Sequence, residues 1–144
     1  MSKKVIIIGG SSGLGLDIAK IFGKNNNQIV LISSNERKLI SATKELNNQN
    51  ISCSYFKCNL SIKNEVDATC DYLKSISSNI EVIVFSSAKG YFGEFKDLKI
   101  SQIENIFSIN SFGFIKILNE TLKYNEGCRY IYISSYACKI PLSR

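Results

Sequence analysis

The sequence predicts a doubly wound α/β domain, a parallel sheet with helices on both faces. Three observations point there. Short β-branched runs alternate with segments of helical period along the 144 residues. The strand runs are continuously apolar rather than alternating, as strands buried on both faces must be. The first strand stops at a glycine cluster that opens directly into a helix, the place where open α/β sheets receive anions.

Taken in order, Val5–Ile8 is the first strand, ended by Gly9-Gly10. Leu14–Phe22 carries apolar residues at Leu14, Ile18, Ile21 and Phe22, the spacing of one helix face. Gln28–Ile32 is the second strand, and Ser33-Ser34 ends it. Asn35 is an N-cap for a helix running to about Leu46, with Leu39, Ala42 and Leu46 inward. Ile51–Phe56 is the third strand. Ser61 caps the helix after it, whose Ile62, Val66, Thr69, Leu73 and Ile76 share a face. Val82–Phe85 is the fourth strand, followed by a loop that turns at Gly90 and Gly93. A long helix over about Ser101–Tyr124 and a fifth strand at Arg129–Ile133 complete the pattern. Right-handed crossovers then give the strand order 3-2-1-4-5.

Composition narrows the function. Hydrophobic residues make up 44% and charged residues 21%, the balance of a soluble globular domain. No apolar run approaches the roughly 20 residues of a membrane span, and Val5–Ile8 is too short for the core of a secretion signal. The net charge is +6, but the lysines are scattered, which argues for a solvated surface and against a nucleic-acid partner. The cysteines Cys53, Cys58, Cys70, Cys128 and Cys138 are odd in number and form no C-x-x-C pair. There is no histidine, so a zinc site and a His-dependent triad are both disfavoured. Unpaired thiols fit a reducing, cytoplasmic location, and no metal is expected.

The sharpest local signal is Gly9-Gly10-Ser11-Ser12-Gly13-Leu14-Gly15. Glycine there serves a turn with positive φ and lets a pyrophosphate approach the backbone, while the helix behind aims free N–H groups at it. Plain tight turns also use glycine, but the strand before and the helix after decide for nucleotide binding. Leu16 rather than lysine follows Gly15, so the loop is not a Walker A motif. At the end of the second strand, an NAD enzyme places an acid on the ribose 2′-hydroxyl. Ser33 and Ser34 stand there instead, with Arg37 close behind, which favours NADP(H) over NAD.

The spacing of Gly9, Gly13 and Gly15 resembles the short-chain dehydrogenase/reductase family, whose cofactor domain is a Rossmann fold, and later segments fall in register with it. Cys58-Asn59-Leu60-Ser61 is similar to the family's acid and aliphatic pair that lies against the adenine. Asn59 replaces the acid with an amide that can still bond the adenine amine. Ser86-Ser87-Ala88 closes the fourth strand where the family has Asn-Asn-Ala-Gly, a departure in which neither Asn is present and Ala88 stands in the glycine's place. Ile109-Asn110-Ser111-Phe112-Gly113 looks like the segment that carries the family's structural and catalytic Asn. Asn110 also lies within the apolar stripe Ile103, Ile106, Phe107, Gly113, Phe114, Ile117 and Leu118, where an amide must find partners. A buried Asn tied to nearby backbone is therefore a compatible reading. Gly127 through Ser135 resembles the fifth strand with its catalytic serine, and Ser135 is the positional match. Paired serines after a strand also begin ordinary turns.

The resemblance implies Ser135 and Asn110 as catalytic positions. It implies a cofactor site at Gly9, Ser11, Ser12, Gly13, Leu14, Gly15, Ser33, Ser34, Arg37, Asn59, Leu60, Ser86, Ser87 and Ala88. Arg37 would have to act for the family's NADP marker, an Arg at position 34. The family's Tyr-x-x-x-Lys pair would fall beyond Arg144. Tyr136 and Lys139 lack the i, i+4 spacing that stacks such a pair on one helix face. The expectation is one NAD(P)-binding domain over residues 1–144, incomplete at its C-terminus relative to the family. Its function would be hydride transfer between NADP(H) and a carbonyl or alcohol, in a truncated form with impaired or no turnover. A non-catalytic dinucleotide-binding module is the alternative. The fifth strand would be an exposed edge. The protein would then be marginally stable, or would self-associate through that edge or the helix over 101–124.

Overall fold

Successive residues of a strand point to opposite faces of a sheet, and in the three central strands both sets are buried. The computed structural model describes residues 2–135. Five parallel strands, β1 (Lys4–Ile8), β2 (Gln28–Ser33), β3 (Cys53–Lys57), β4 (Ile80–Phe85) and β5 (Arg129–Tyr132), form one sheet in the expected order β3-β2-β1-β4-β5. Val5, Ile7, Ile29, Leu31, Val82 and Val84 fill one face. Helices α1 (Gly13–Gly23) and α2 (Glu36–Asn48) cover it through Ala19, Leu39, Ala42 and Leu46. Ile6, Ile8, Val30, Ile32, Ile83 and Phe85 fill the other face. There, α3 (Lys63–Ser75) and α5 (Gly113–Leu122) contribute Val66, Cys70, Leu73 and Ile117.

Three local expectations are corrected. In α1 the inward face is Gly15, Ala19 and Gly23, while Leu14 and Ile21 are 58% and 63% exposed. The helix lies so close to the loop and sheet that a β-carbon at Gly15 would run into the Gly9 carbonyl, and one at Gly23 into Ile51. Only a small-residue stripe fits that gap. Helix α3 begins at Lys63, its N-cap is Ile62 rather than Ser61, and Ile62 is exposed. The Ser61 hydroxyl is engaged elsewhere, by Asn59. The long helix is not continuous. Helix α4 (Ile100–Phe107) and α5 are joined by a π-turn over Ser108–Phe112, with Asn110 at its centre. A π-turn inserts one residue into the i→i−4 ladder and shifts the helix faces on either side. The apolar stripe accordingly splits: Phe107 is exposed, whereas Gly113 and Ile117 are buried.

Candidate nucleotide-binding cleft

A cleft of about 700 Å³ opens over the C-terminal ends of β1 to β4. The chain leaves β1 toward β2 on one side and has β4 on the other, so the cleft sits at the topological switch point of the sheet. Each strand end contributes a short polar segment. Gly9, Ser11 and Ser12 follow β1, Ser33, Ser34, Asn35 and Lys38 follow β2, and Cys58 through Ser61 follow β3. Ser86 through Lys89 and Tyr91 follow β4, and Asn105 and Ile109 close the far side.

The glycine loop is shaped for an anion. Gly9 and Gly13 have φ of +90° and +55°, which side-chain-bearing residues rarely adopt. A β-carbon on Gly9 would lie 2.5 Å from the Ser87 nitrogen. The loop is thus pressed against the end of β4, where the Ser86 N–H and hydroxyl both donate to the Ile8 carbonyl, at 2.8 and 3.0 Å. Ser12 is the N-cap of α1 but makes no side-chain cap bond, and a β-carbon on Gly13 would meet no atom within 4 Å. The first-turn N–H groups of α1 therefore keep their capacity for an anion in front of the helix, aided by its dipole. This donor set and open cradle fit a phosphate.

At the end of β2, the buried Ser11 hydroxyl donates to Ser33 Oγ at 2.9 Å. Among the described residues no carboxylate lines the cleft, and its charged side chains are Lys38 and Lys89. Arg37, expected to meet a 2′-phosphate, is exposed and does not line it. Asn35 accepts the Lys38 N–H at 3.0 Å as the expected cap, and this capped first turn carries Lys38 into the cleft. Neighbouring helix residues diverge by about 100°, so adjacent basic residues cannot share one direction. Lys89 lies with its ammonium 5.2 Å from the Tyr91 ring centre at the opposite end.

At the end of β3, Asn59 Oδ1 accepts both the Ser61 N–H at 3.0 Å and the Ser61 hydroxyl at 2.8 Å. The Asn59 N–H donates to Glu65 Oε2 at 2.7 Å. The oxygen expected to take an adenine amine is already doubly occupied. Cys58 beside it is buried, and burial pushes its thiol above the usual value.

The two expected catalytic positions are not brought into this cleft. The Asn110 side chain clamps the loop after β4, accepting the Lys89 N–H at 2.7 Å and donating to the Lys89 carbonyl at 2.8 Å. The Asn110 carbonyl accepts from the Tyr132 hydroxyl at 2.8 Å. Ser135 is exposed just beyond β5, which the Ile133 N–H extends by bonding the Phe85 carbonyl. Tyr136, Cys138 and Lys139 lie outside the described residues. Gly13, Leu14 and Gly15 shape the loop and its helix without lining the cavity. The other expected cofactor positions, Arg37 apart, do line it. Lys38, Lys89, Tyr91, Asn105 and Ile109 are lining residues that sequence reasoning missed. Lys38, Lys89 and Ile109 sit one residue from expected positions, whereas Asn105 enters only because of how α4 packs.

Among the described residues, no three His, Cys, Asp or Glu side chains cluster as metal ligands would. No described helix is long and apolar enough to cross a membrane. A glycine loop at the switch point of a 3-2-1-4-5 sheet defines a dinucleotide-binding class of fold. Residues 3–144 match the family model for short chain dehydrogenase, and the chain belongs to that family. It is 27% identical to the 3-ketodihydrosphingosine reductase of Bos taurus over 146 residues, covering 96% of this chain and 44% of that protein. Its structure is similar to a variant of actinorhodin polyketide ketoreductase crystallised with NADPH, at TM-score 0.89 and 20% identity, covering 98% of this chain and 56% of that one. A short-chain dehydrogenase from Sphingobium yanoikuyae in complex with NADPH is similar at TM-score 0.89 and 17% identity, covering 96% and 56%. The chain thus spans about half the length of the relatives it matches.

Proposed function

We infer that this chain carries the cofactor-binding part of an NADP(H)-dependent oxidoreductase that moves hydride between nicotinamide and a carbonyl or alcohol. The observation that carries the reading is the charge of the cleft. Among the described residues two lysines and no carboxylate line it, beside a glycine loop whose helix N-terminus lacks a side-chain cap. An acid after β2 would repel a 2′-phosphate, whereas Ser33, Ser34 and Lys38 would receive one. The solved neighbours that carry NADPH support the same reading. When bound, the nicotinamide supplies the hydride. The chain's own groups bind the phosphates, hold the base end, and set the loop at Lys89 through Asn110. Among the described residues four unpaired thiols, at Cys53, Cys58, Cys70 and Cys128, favour a reducing cytoplasm as its location.

A non-catalytic binding module is the second reading. Its support is that both polar ends of the Asn110 side chain and the Asn110 carbonyl are committed to structural bonds. Titration with NADPH and NADH by nicotinamide fluorescence, followed by turnover assays on a panel of ketones and alcohols, separates the readings. Preferential NADPH binding with turnover supports the oxidoreductase, and binding without turnover supports the module. A preference for NADH would overturn the NADP assignment.

A further inference from the structure

The two sides of the cleft are fixed by separate sets of hydrogen bonds. A dinucleotide straddles the switch point of such a sheet, one half on each side. On the cofactor reading above, the adenosine half lies toward β2 and β3 and the nicotinamide half toward β4. The adenosine side is set locally, by the Ser11 hydroxyl on Ser33 and by Asn35 on the Lys38 N–H. The nicotinamide side is the loop after β4, whose Ser86 through Lys89 and Tyr91 line the cleft. Its backbone at Lys89 is held from outside the cleft, by the Asn110 side chain on both the N–H and the carbonyl.

Tyr132 in turn holds Asn110. Asn110 lies in the π-turn, where one inserted residue changes the direction in which side chains leave the helix. A carbonyl has two lone pairs, so that of Asn110 can accept the Tyr132 hydroxyl at 2.8 Å beside any bond within the helix. The phenol ring is braced as well. It packs on Phe114 with ring centres 4.7 Å apart, and Phe114 meets Phe85 edge-on at 4.6 Å. Phe85 ends β4 and is the register partner of Tyr132 on β5. Strand β5 thus delivers a hydroxyl to the turn, although Tyr132 itself does not line the cleft. We propose that Tyr132 is a positioning residue for the nicotinamide half of the cofactor. Through the Asn110 turn it keeps the Lys89 loop in the shape that receives that half, and the adenosine half does not depend on it. Without the hydroxyl, part of the population has the turn displaced, and apparent affinity falls with the fraction that is competent.

The test is calorimetric titration with NADPH and with adenosine 2′,5′-bisphosphate, which carries the adenosine half and no nicotinamide. Tyr132→Phe keeps the ring and removes the hydroxyl. It is expected to weaken NADPH about fivefold, what the loss of one hydrogen bond supports, and to leave the bisphosphate unchanged. Retained bisphosphate binding also shows that the variant is folded. Thr121→Val is the control, because it removes a hydroxyl bond to the Ile117 carbonyl at the far end of α5 and should change neither ligand. An equal loss for both ligands in Tyr132→Phe would make the role merely structural and overturn the proposal, as would no loss for either. Hydrogen exchange of the unsubstituted chain gives a second measurement. NADPH should slow exchange at the Lys89 amide and the bisphosphate should not, and equal effects would overturn the proposal. Bisphosphate binding with no gain for NADPH would overturn it while sparing the adenosine site. Binding of neither ligand would remove the cofactor reading together with it.

Discussion

At Gly15 a single methyl group decides whether α1 can dock. Its β-carbon would meet the Gly9 carbonyl and lie 2.6 Å from Ser86 Oγ, whereas one at Gly13 would enter open space and only strain a backbone held at φ +55°. Gly15→Ala is therefore expected to cost about 2–3 kcal/mol through overpacking. Gly13→Ala should cost roughly 1 kcal/mol through backbone strain. Urea unfolding measures both, and equal midpoints would contradict the assignment. Lys38 and Arg37 give a second contrast. Lys38→Ala should weaken NADPH about tenfold, or about 1.4 kcal/mol, and leave NADH unchanged. Arg37→Ala should change neither. An equal loss for both cofactors in Lys38→Ala would place that ammonium away from the 2′-phosphate. From the sequence, only the basic character of this turn was legible. Which of the two residues faces the cleft follows from the direction in which α2 leaves its Asn35 cap.

Among the elements, the π-turn between α4 and α5 has the most consequence. It frees the Asn110 carbonyl for Tyr132 on β5 and sets the Asn110 side chain against both backbone groups of Lys89. Asn110→Leu leaves the Lys89 N–H and carbonyl without these partners and should cost about 1–3 kcal/mol. Tyr132→Phe removes one hydrogen bond and should cost roughly 1 kcal/mol. Because both changes act on one turn, the double variant should lose less than their sum. Thermal unfolding with hydrogen exchange at the Lys89 amide measures this, and strict additivity would show that the two bonds are independent. The sequence pattern marked Asn110 as an amide in need of partners but read the helix as unbroken. A 3.6-residue period carries no sign of one inserted residue when apolar side chains flank it on both sides.

For the whole molecule, buried ionisable groups predict a loss of stability in alkali. Burial pushes the Cys53 and Cys70 thiols up to about 11, and the Tyr124 phenol to about 12. Below the ordinary thiol value of 9.0 both folded and unfolded chains hold these protons, so stability is flat with respect to them. Between 9 and about 11 the unfolded chain releases them first, and stability falls as pH rises through that window. Urea midpoints measured across it should decline, and Cys70→Ala should lessen the decline. A flat profile would mean that these thiols ionise as readily in the fold as outside it. The outer faces predict association as well. Phe112 on the π-turn and Ile115 and Leu122 on α5 are exposed, and among the described residues β5 pairs with β4 alone, with Ile131 and Tyr132 partly exposed. We expect concentration-dependent dimers in sedimentation velocity, reduced by Ile115→Lys with Leu122→Lys. A monomer at all concentrations would count against this.

The doubly wound class, the strand order and the glycine loop were readable from the sequence. Each rests on local periodicity or on a backbone requirement carried by a few neighbouring residues, such as Val5 to Ile8 followed by Gly9. The tertiary structure alone decided that Lys38 rather than Arg37 enters the cleft, that the Asn59 oxygen is spent on Ser61, and that Asn110 clamps Lys89. The physical reason is that a side chain's direction and its hydrogen-bond partners depend on how distant elements meet, and no short window of sequence records that.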